Sequence, residues 1–409
     1  MENRKRGGDN RTMKVAYILN VFPKISETFV LNEMIAMQKK GVEIEAFVYA
    51  DPKEPTVHSG FKQIKNVTYF SLPKGPAILQ AHFYFLLRNT FRYFQAFWLS
   101  FMSGRKGIFS RSGDGLGKLF CLELYDSLQV AKAKPDHIHA HFGDYRASNL
   151  AMMVSWLTGI PYTFTTHAHD IFDTPPNNYG VKTKFAKKHI TISRYNKKYL
   201  VDHFQLDADK IAVIHCGVDF DRLPPPEKGP KQNIILSIAR LAPEKALDNL
   251  VRACRILKEE GVVFECWIIG EGPEESKILS VISELSLEKE VKLLGAKIQE
   301  EVFEFLKKSA VKVLPSRRTE SMGVALMEAM ALGVPVVGPR LHGVPELVED
   351  GKCGFLADPD NVPMLADRIK RLLTDESSRR SFIEAGYKKV YDEFNLKTET
   401  DKLFRIWSS

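Results

Sequence analysis

Cysteine is scarce in this 409-residue chain: there are five, scattered from Cys121 to Cys353, and no two form a Cys-x-x-Cys pair. That argues against a disulfide framework and against a zinc site of the usual spacing. The thiols read as reduced, mostly buried groups of a cytosolic protein. Long apolar runs are missing as well, since no uncharged stretch approaches the ~20 residues needed to cross a bilayer. The charged start MENRKRGGDNRT is not followed by the apolar region of a signal peptide, and residues 1–12 are expected to be a disordered lead. Three motifs are also absent: a P-loop, a Gly-x-Gly-x-x-Gly after a strand, and a Gly-x-Ser-x-Gly elbow.

What is present is ordinary material for two cores. Hydrophobic residues make up 44% of the chain, and the length predicts two domains of roughly 200 residues each. The net charge of +8 is unevenly placed. Residues 1–222 hold 30 Lys and Arg against 20 Asp and Glu, whereas residues 223–409 hold 28 against 30. A basic first half suits an anionic partner or merely aids solubility. Nucleic acid has only this charge in its favour and is not expected as a partner.

Short β-branched runs alternate with helical patterns. KVAYILN (14–20) precedes a helix expected from Ser26 or Thr28 to Gly41, then VEIEAFVY, HIHAHF (137–142) and PYTFTTH (161–167) read as strands. NIILSIA (233–239), VFECWIIG, VKLLG, VKVLP and VPVVG repeat the rhythm in the second half. Strand–helix alternation implies parallel sheets covered on both faces, so two doubly wound α/β domains are expected. The boundary falls at RLPPPEKGP, where three prolines forbid a helix. The expected organisation is therefore domain 13–222, linker 223–230, domain 231–390, and a final segment 391–409. That last segment is a helix whose Leu403, Ile406 and Trp407 face needs an apolar surface to cover.

One segment, ILQAHFYFLLRNTFRYFQAFWLSFM (78–102), carries a helical stripe of Leu79, Phe83, Leu87, Phe91, Phe94, Trp98 and Phe101, with Arg88, Arg92, Arg105 and Lys106 in or beside it. It reads as one helix, either half-buried in the first domain or lying on an anionic membrane surface through residues 78–106.

The chemistry-bearing residues fall after strands, where open parallel sheets bind ligands. Arg240 and Lys245, beside helix N–H groups, could clamp a pyrophosphate or decorate a loop. In ESMGVALMEAMALGVP, Glu320 lies in a loop, and Ser321, Met322 and Gly323 offer backbone N–H groups at a helix start. Glu328 shares a face with Val324, Ala331 and Leu332. A carboxylate there needs donors, whether ligand hydroxyls or the cation of a salt bridge. His137, His139 and His141 alternate along a strand, but no Cys or acidic set nearby in sequence completes a metal shell, so no metal is expected. His167 ends a strand three residues before Asp170 and could bond a hydroxyl or phosphate. The motifs DAD (207–209), DFD (219–221) and DPD (358–360) each read as turns.

Taken together, ESMGVALMEAMALGVPVVG, HGVPELVEDGKCGFLADPDN, SIARLAPEKALDNLV, IIGEGPE, HFG, FTTHAHD and VIHCGVDFDRL resemble the retaining glycosyltransferases of family four, which have the GT-B fold. The start YILNVFPKISETFVLNEM is similar to the branch that builds bacterial exopolysaccharides of the colanic acid and amylovoran type, and some aminoglycoside-pathway transferases open similarly. The resemblance implies two Rossmann-like domains facing across a cleft, with the C-terminal helix crossing back to the first. It implies a metal-independent, cofactor-free transfer of a hexose-type sugar, with retention, from a nucleoside diphosphate sugar, UDP favoured over GDP. The acceptor would be a glycan or lipid-linked saccharide, at the cytoplasm or the inner face of a membrane. A non-catalytic nucleotide-sugar-binding protein and a transferase for an aminocyclitol-type acceptor are the alternatives.

By the same resemblance, Arg240 and Lys245 hold the diphosphate, Glu328 the ribose, and Glu320 the transferred sugar. The amides of Met322, Gly323 and Val324 support sugar or phosphate, and His167 lies near the anomeric carbon. The acceptor side would be Lys24, Ser26, Thr28, His141 and Asp170. The chain departs from the pattern at NVFPKIS, where many members have a glycine-rich loop, and at Met322, where many have Phe.

Overall fold

A computed structural model describes residues 12–24, 27–53, 59–102, 116–143, 146–224 and 232–409, with the backbone alone at 59, 99–102 and 116–121. The expected lead 1–12, apart from Thr12, lies outside the described residues, as do Ser26, Arg105, Lys106 and most of the linker (225–230).

Seven strands form the first sheet: β1 (Lys14–Val21), β2 (Glu43–Ala50), β3 (Val67–Tyr69), β4 (His137–His141), β5 (Tyr162–Thr166), β6 (Lys188–Thr191) and β7 (Ile211–Val213). Their order is β3-β2-β1-β4-β5-β6-β7, and every pair is parallel. Six more form the second: β8 (Gln232–Ile238), β9 (Glu265–Ile269), β10 (Val291–Leu293), β11 (Ser309–Val313), β12 (Val336–Pro339) and β13 (Phe355–Ala357). These are ordered β10-β9-β8-β11-β12-β13, again all parallel. This is the doubly wound pair of domains expected of GT-B. The order reverses between β1 and β4 and between β8 and β11, and each reversal opens a crevice at the strands' carboxyl ends.

The strands not anticipated, β3, β6, β7 and β13, are three or four residues long. Runs that short carry too little alternation to be read. The first helix, Thr28–Lys39, ends two residues before Gly41, whose φ of +84° suits a glycine.

The aromatic segment corrects the single-helix expectation. It forms two helices, Gly75–Arg88 and Thr90–Met102, broken at Asn89 with φ −155° and ψ 83°. Ala81, Phe85, Tyr93 and Ala96 are the residues that enter the core. Leu79, Phe83, Leu87, Phe91, Phe94 and Trp98 are all exposed, so the stripe is not the buried face.

The last helix, Leu396–Ser408, leaves the second domain's covalent neighbourhood and packs on the first sheet. Leu403 and Trp407 sit in a core with Val15, Tyr17, Leu31 and Ile44. The Trp407 indole N–H donates to Thr163 Oγ1 at 3.0 Å. At the crossing Val218 bonds the chain on either side of Asn395: its N–H donates to the Phe394 carbonyl at 2.8 Å, and the Leu396 N–H donates to the Val218 carbonyl at 3.0 Å.

Candidate functional site

On the second sheet, the loops after β8, β9 and β11 converge. Gly270 ends β9 with φ +141°, and a Cβ there would stand 1.9 Å from the carbonyl oxygen of Ala239. Only glycine lets these two loops approach so closely. Arg240 follows β8, and Lys245, expected at a helix start, ends a short 3-10 turn, Pro243–Lys245, two residues before the helix. The helix proper begins at Leu247 because Ala246 takes a left-handed conformation.

Lys245 Nζ donates to Glu320 Oε2 at 2.6 Å, and Ser316 Oγ donates to the same oxygen at 3.1 Å. Arg240 instead pairs with Glu244 at 2.6 Å. Burial pushes the Glu244 carboxyl up, but the Arg240 bond and charge outweigh it and hold it below the usual range. Gly323, at φ +78°, is the left-handed hinge from which the helix Val324–Ala331 starts. The Met322 side chain is buried in the core with Leu314 and Leu326, so only its backbone is on offer.

Glu328 Oε1 accepts a bond from Gln299 Nε2 at 2.8 Å. Burial raises its pKa, opposed by that bond and by the field of Lys312. Among the described residues it makes no ion pair, so the salt-bridge reading fails and a neutral amide is its direct partner. Lys312 itself is fully buried on β11, with Nζ donating to the Val313 carbonyl at 2.9 Å. Burial drives its pKa down to about 7, while the charges of Glu320 and Glu328 pull it up.

On the first sheet, His167 leaves β5 almost buried, between the rings of Phe29 and Phe142 at centroid distances of 4.6 and 4.7 Å. Burial, then the neighbouring His141, keep its pKa well below the usual imidazole value. Its backbone N–H donates to Asp170 Oδ1 at 2.9 Å.

Two expected acceptor contacts need correction. Asp170 is buried, and its oxygens take the backbone amides of His167 and Gly143, so it braces the loop. His141 is also buried, and stands behind His167. Lys24 pairs with Glu27 at 2.6 Å, and Thr28 opens the first helix. The expectation that the histidine triplet lacks a carboxylate is overturned too. Glu33, on the first helix, reaches His139 and His141, and the three ligand atoms lie within 4.8 Å of one another.

The two halves meet here. Ser321 Oγ donates to the His167 carbonyl at 2.5 Å, and Asn196 Nδ2 bonds both that carbonyl (2.7 Å) and Ser321 Oγ (3.1 Å). Thr319 Oγ1 donates to Asp173 at 2.8 Å. Glu320, between Thr319 and Ser321, is thereby held against the His167 loop. Phe29, Asn32, Arg222, Gln299, Val324 and Glu328 line a cavity beside it.

A two-sheet frame with a cation–carboxylate pair at one switch point and a histidine opposite fits sugar-nucleotide chemistry, and comparison with known proteins decides the family. Residues 220–389 match the model for glycosyl transferases group 1, and residues 107–222 match the model for glycosyltransferase family 4. The amylovoran biosynthesis glycosyltransferase AmsK of Erwinia amylovora is 31% identical over 411 residues, covering 94% of this chain and 96% of its own. WcaL of Escherichia coli K12, named for colanic acid biosynthesis, is 30% identical over 403 residues with the same coverage. The chain belongs to glycosyltransferase family four. The crystal structure of Anabaena HepE with UDP and glucose superposes with a TM-score of 0.71 over 97% of this chain and 99% of that one, at 19% identity, which establishes the shared GT-B fold.

Around the predicted residues the fold also gathers side chains that the sequence reading did not single out: Gln299, Lys312, Asn196, the Ser321 hydroxyl and Glu33. Only Lys312 left a signal, a lysine inside the apolar strand VKVLP.

Proposed function

We propose that this glycosyltransferase moves a hexose-type sugar, with retention, from a nucleoside diphosphate sugar to a glycan or lipid-linked acceptor in exopolysaccharide assembly. The carrying observation is the Lys245–Glu320 pair at 2.6 Å beside the helix start that also bears Glu328. A bound diphosphate would draw Lys245 and Arg240 from their carboxylate partners. The helix N-terminus would add its partial positive charge to the departing phosphate. Glu320, released from Lys245, would accept sugar hydroxyls, and Glu328 the ribose diol. No metal is needed in this scheme, because fixed cations and amides carry the leaving-group charge.

The exopolysaccharide assignment leans on AmsK and WcaL, the relatives that align along nearly the whole chain. UDP is favoured over GDP on family frequency, and the UDP and glucose held by HepE agree with that preference. The exposed aromatic face of the helices Gly75–Arg88 and Thr90–Met102, with Lys74 and Arg88 beside it, supports seating on an anionic bilayer near the acceptor. Salt-sensitive binding to anionic vesicles is its measurable consequence.

The test is transfer from a panel of UDP- and GDP-sugars to lipid-linked acceptors, with the anomeric configuration of the product read by NMR, with and without EDTA. Lys245→Ala is expected to lower kcat by ~10²–10³-fold. Donor binding without turnover on any acceptor would favour a non-catalytic sugar-nucleotide binder. An inverted product, or loss of activity in EDTA, would overturn the mechanism.

A further inference from the structure

The first domain carries a cavity of about 430 Å³ at the end of its sheet away from the cleft. Tyr162, which opens β5, lines it, whereas His167 follows the carboxyl end of the same strand. The five residues of β5, about 16 Å of extended chain, separate the two places. No role described so far uses this cavity.

Its lining is divided in chemistry. Phe91, Met152, Trp156 and Phe185 supply an apolar wall, with the Trp156 and Phe185 rings 4.7 Å apart. Arg92 supplies a charge. It is half-buried, its Nη1 donates to the Trp156 carbonyl at a long 3.5 Å, and it makes no ion pair among the described residues. Gly159, left-handed at φ +82°, makes room for it, since a Cβ there would stand 2.6 Å from Arg92 Nη1. Lys184 brings a second cation, with Nζ 6.0 Å from the centre of the Phe185 ring, and it too has no ion pair among the described residues. No acidic side chain is among the residues that line the cavity.

A half-buried guanidinium with most of its N–H donors idle has lost water without gaining a counter-charge, so it favours an anion. The aromatic wall favours hydrocarbon. One molecule meets both demands if it is an amphiphile with an anionic head. The surroundings point the same way. Phe91 and Arg92 belong to the helix Thr90–Met102, whose exposed Phe94 and Trp98 continue the apolar wall outward.

We propose that this cavity holds one anionic phospholipid of the bilayer, its phosphate on Arg92 and Lys184 and the start of an acyl chain along Phe91, Trp156 and Phe185. This rests on the reading that the aromatic face seats on a membrane, and adds to it a site for a single lipid. Held at the strand end away from His167, that lipid is an anchor and not the acceptor. Arg92 also lies at the C-terminus of the helix Ala147–Thr158, where a cation is favourable without any ligand. The two roles differ in what they make Arg92 necessary for: lipid affinity or stability alone.

The test is calorimetric titration of the full chain with dihexanoyl-phosphatidylglycerol below its micelle-forming concentration. Dihexanoyl-phosphatidylcholine, glycerol 3-phosphate and UDP are run beside it. The glycerol lipid is expected to saturate one site, the choline lipid to bind at least about tenfold more weakly, and neither soluble anion to displace the lipid. Arg92→Gln and Phe185→Ser are each expected to weaken binding at least about tenfold. A folded Arg92→Gln that melts earlier but binds the lipid as before would leave Arg92 a helix cap and overturn the proposal. So would no saturable binding, equal affinity for the two lipids, or displacement by glycerol 3-phosphate or UDP. A dimer in light scattering that Phe185→Ser abolishes would give the face to a second copy and overturn it too. If Arg92→Gln does not fold, the contrast between the two lipids and the Phe185→Ser variant decide. Vesicle binding without short-lipid binding would sink this site and leave the seating intact, whereas the reverse would count against the seating alone.

Discussion

At the residue scale, the most unusual group is Lys312, a cation placed inside an apolar strand. Its pKa falls from an ordinary 10.5 to about 7 in the fold, although Glu320 and Glu328 attract it. The net fall means that desolvation exceeds both attractions, so the protonated lysine opposes folding. The unfolded chain binds more protons here between about pH 7 and 10.5, and stability from this group therefore rises with pH across that window. The cost is fully present below about pH 7 and has vanished above 10.5. Lys312→Met should stabilise the protein by about 1–4 kcal/mol near pH 7. Its advantage should shrink steadily towards pH 10, as urea unfolding at the two pH values would measure. A lysine that helps folding would instead give a less stable variant at pH 7.

The site's charged residues were legible in the sequence because each follows a strand and has a type that suits phosphate or sugar. Their partners were not. Glu33 lies 108 residues from His141, and nothing local says that the first helix aims one carboxylate at β4. Glu328 was readable as a carboxylate needing donors, but not as one satisfied by Gln299 from another helix.

At the element scale, the strand–helix rhythm revealed the two sheets, while the shortest strands escaped it. The aromatic segment shows the opposite limit. Periodicity says that seven apolar residues share a face, but not whether protein covers that face. Here the core takes Ala81, Phe85, Tyr93 and Ala96 instead, and the chain breaks at Asn89 so that two short helices can each turn their apolar stripe outward. Phe83 (60% exposed), Phe91 (76%) and Trp98 (58%) form the apolar face on which the proposed bilayer seating rests.

Vesicles containing phosphatidylglycerol should therefore bind the protein, more weakly as salt rises. Phe83→Ser with Phe94→Ser should weaken partitioning at least tenfold, because each exposed ring contributes up to about 1.5–3 kcal/mol on insertion. Turnover on a soluble acceptor should not change. Flotation assays showing equal binding by the wild type and the double variant would remove these helices from the bilayer.

At the scale of the whole molecule, the final helix decides how the two domains share stability. It is joined covalently to the second domain through the helix Glu376–Glu393, yet Leu403 and Trp407 are buried in the core of the first. Glu399 adds a bond to the His215 backbone N–H at 2.9 Å. Neither domain can unfold without exposing this helix or its seat, so the pair should melt as one unit. The domains also touch across the cleft, through the Ser321–His167 bond, the Phe172–His342 stack at 4.1 Å and the Glu346 carboxylate on the Arg194 and Tyr195 amides, so variants at Trp407 separate the helix's coupling from the cleft's. Trp407→Ala removes the largest side chain of the seat and its bond to Thr163, for an expected loss of about 3–5 kcal/mol. Trp407→Phe keeps a ring and should lose only about 1–2 kcal/mol, mainly the hydrogen bond and part of the volume. Calorimetry should give one transition for the wild type and two for Trp407→Ala, with the first domain melting earlier once its apolar seat is loosely covered. A single, unshifted transition in the alanine variant would mean that the coupling runs through the cleft and not through the helix.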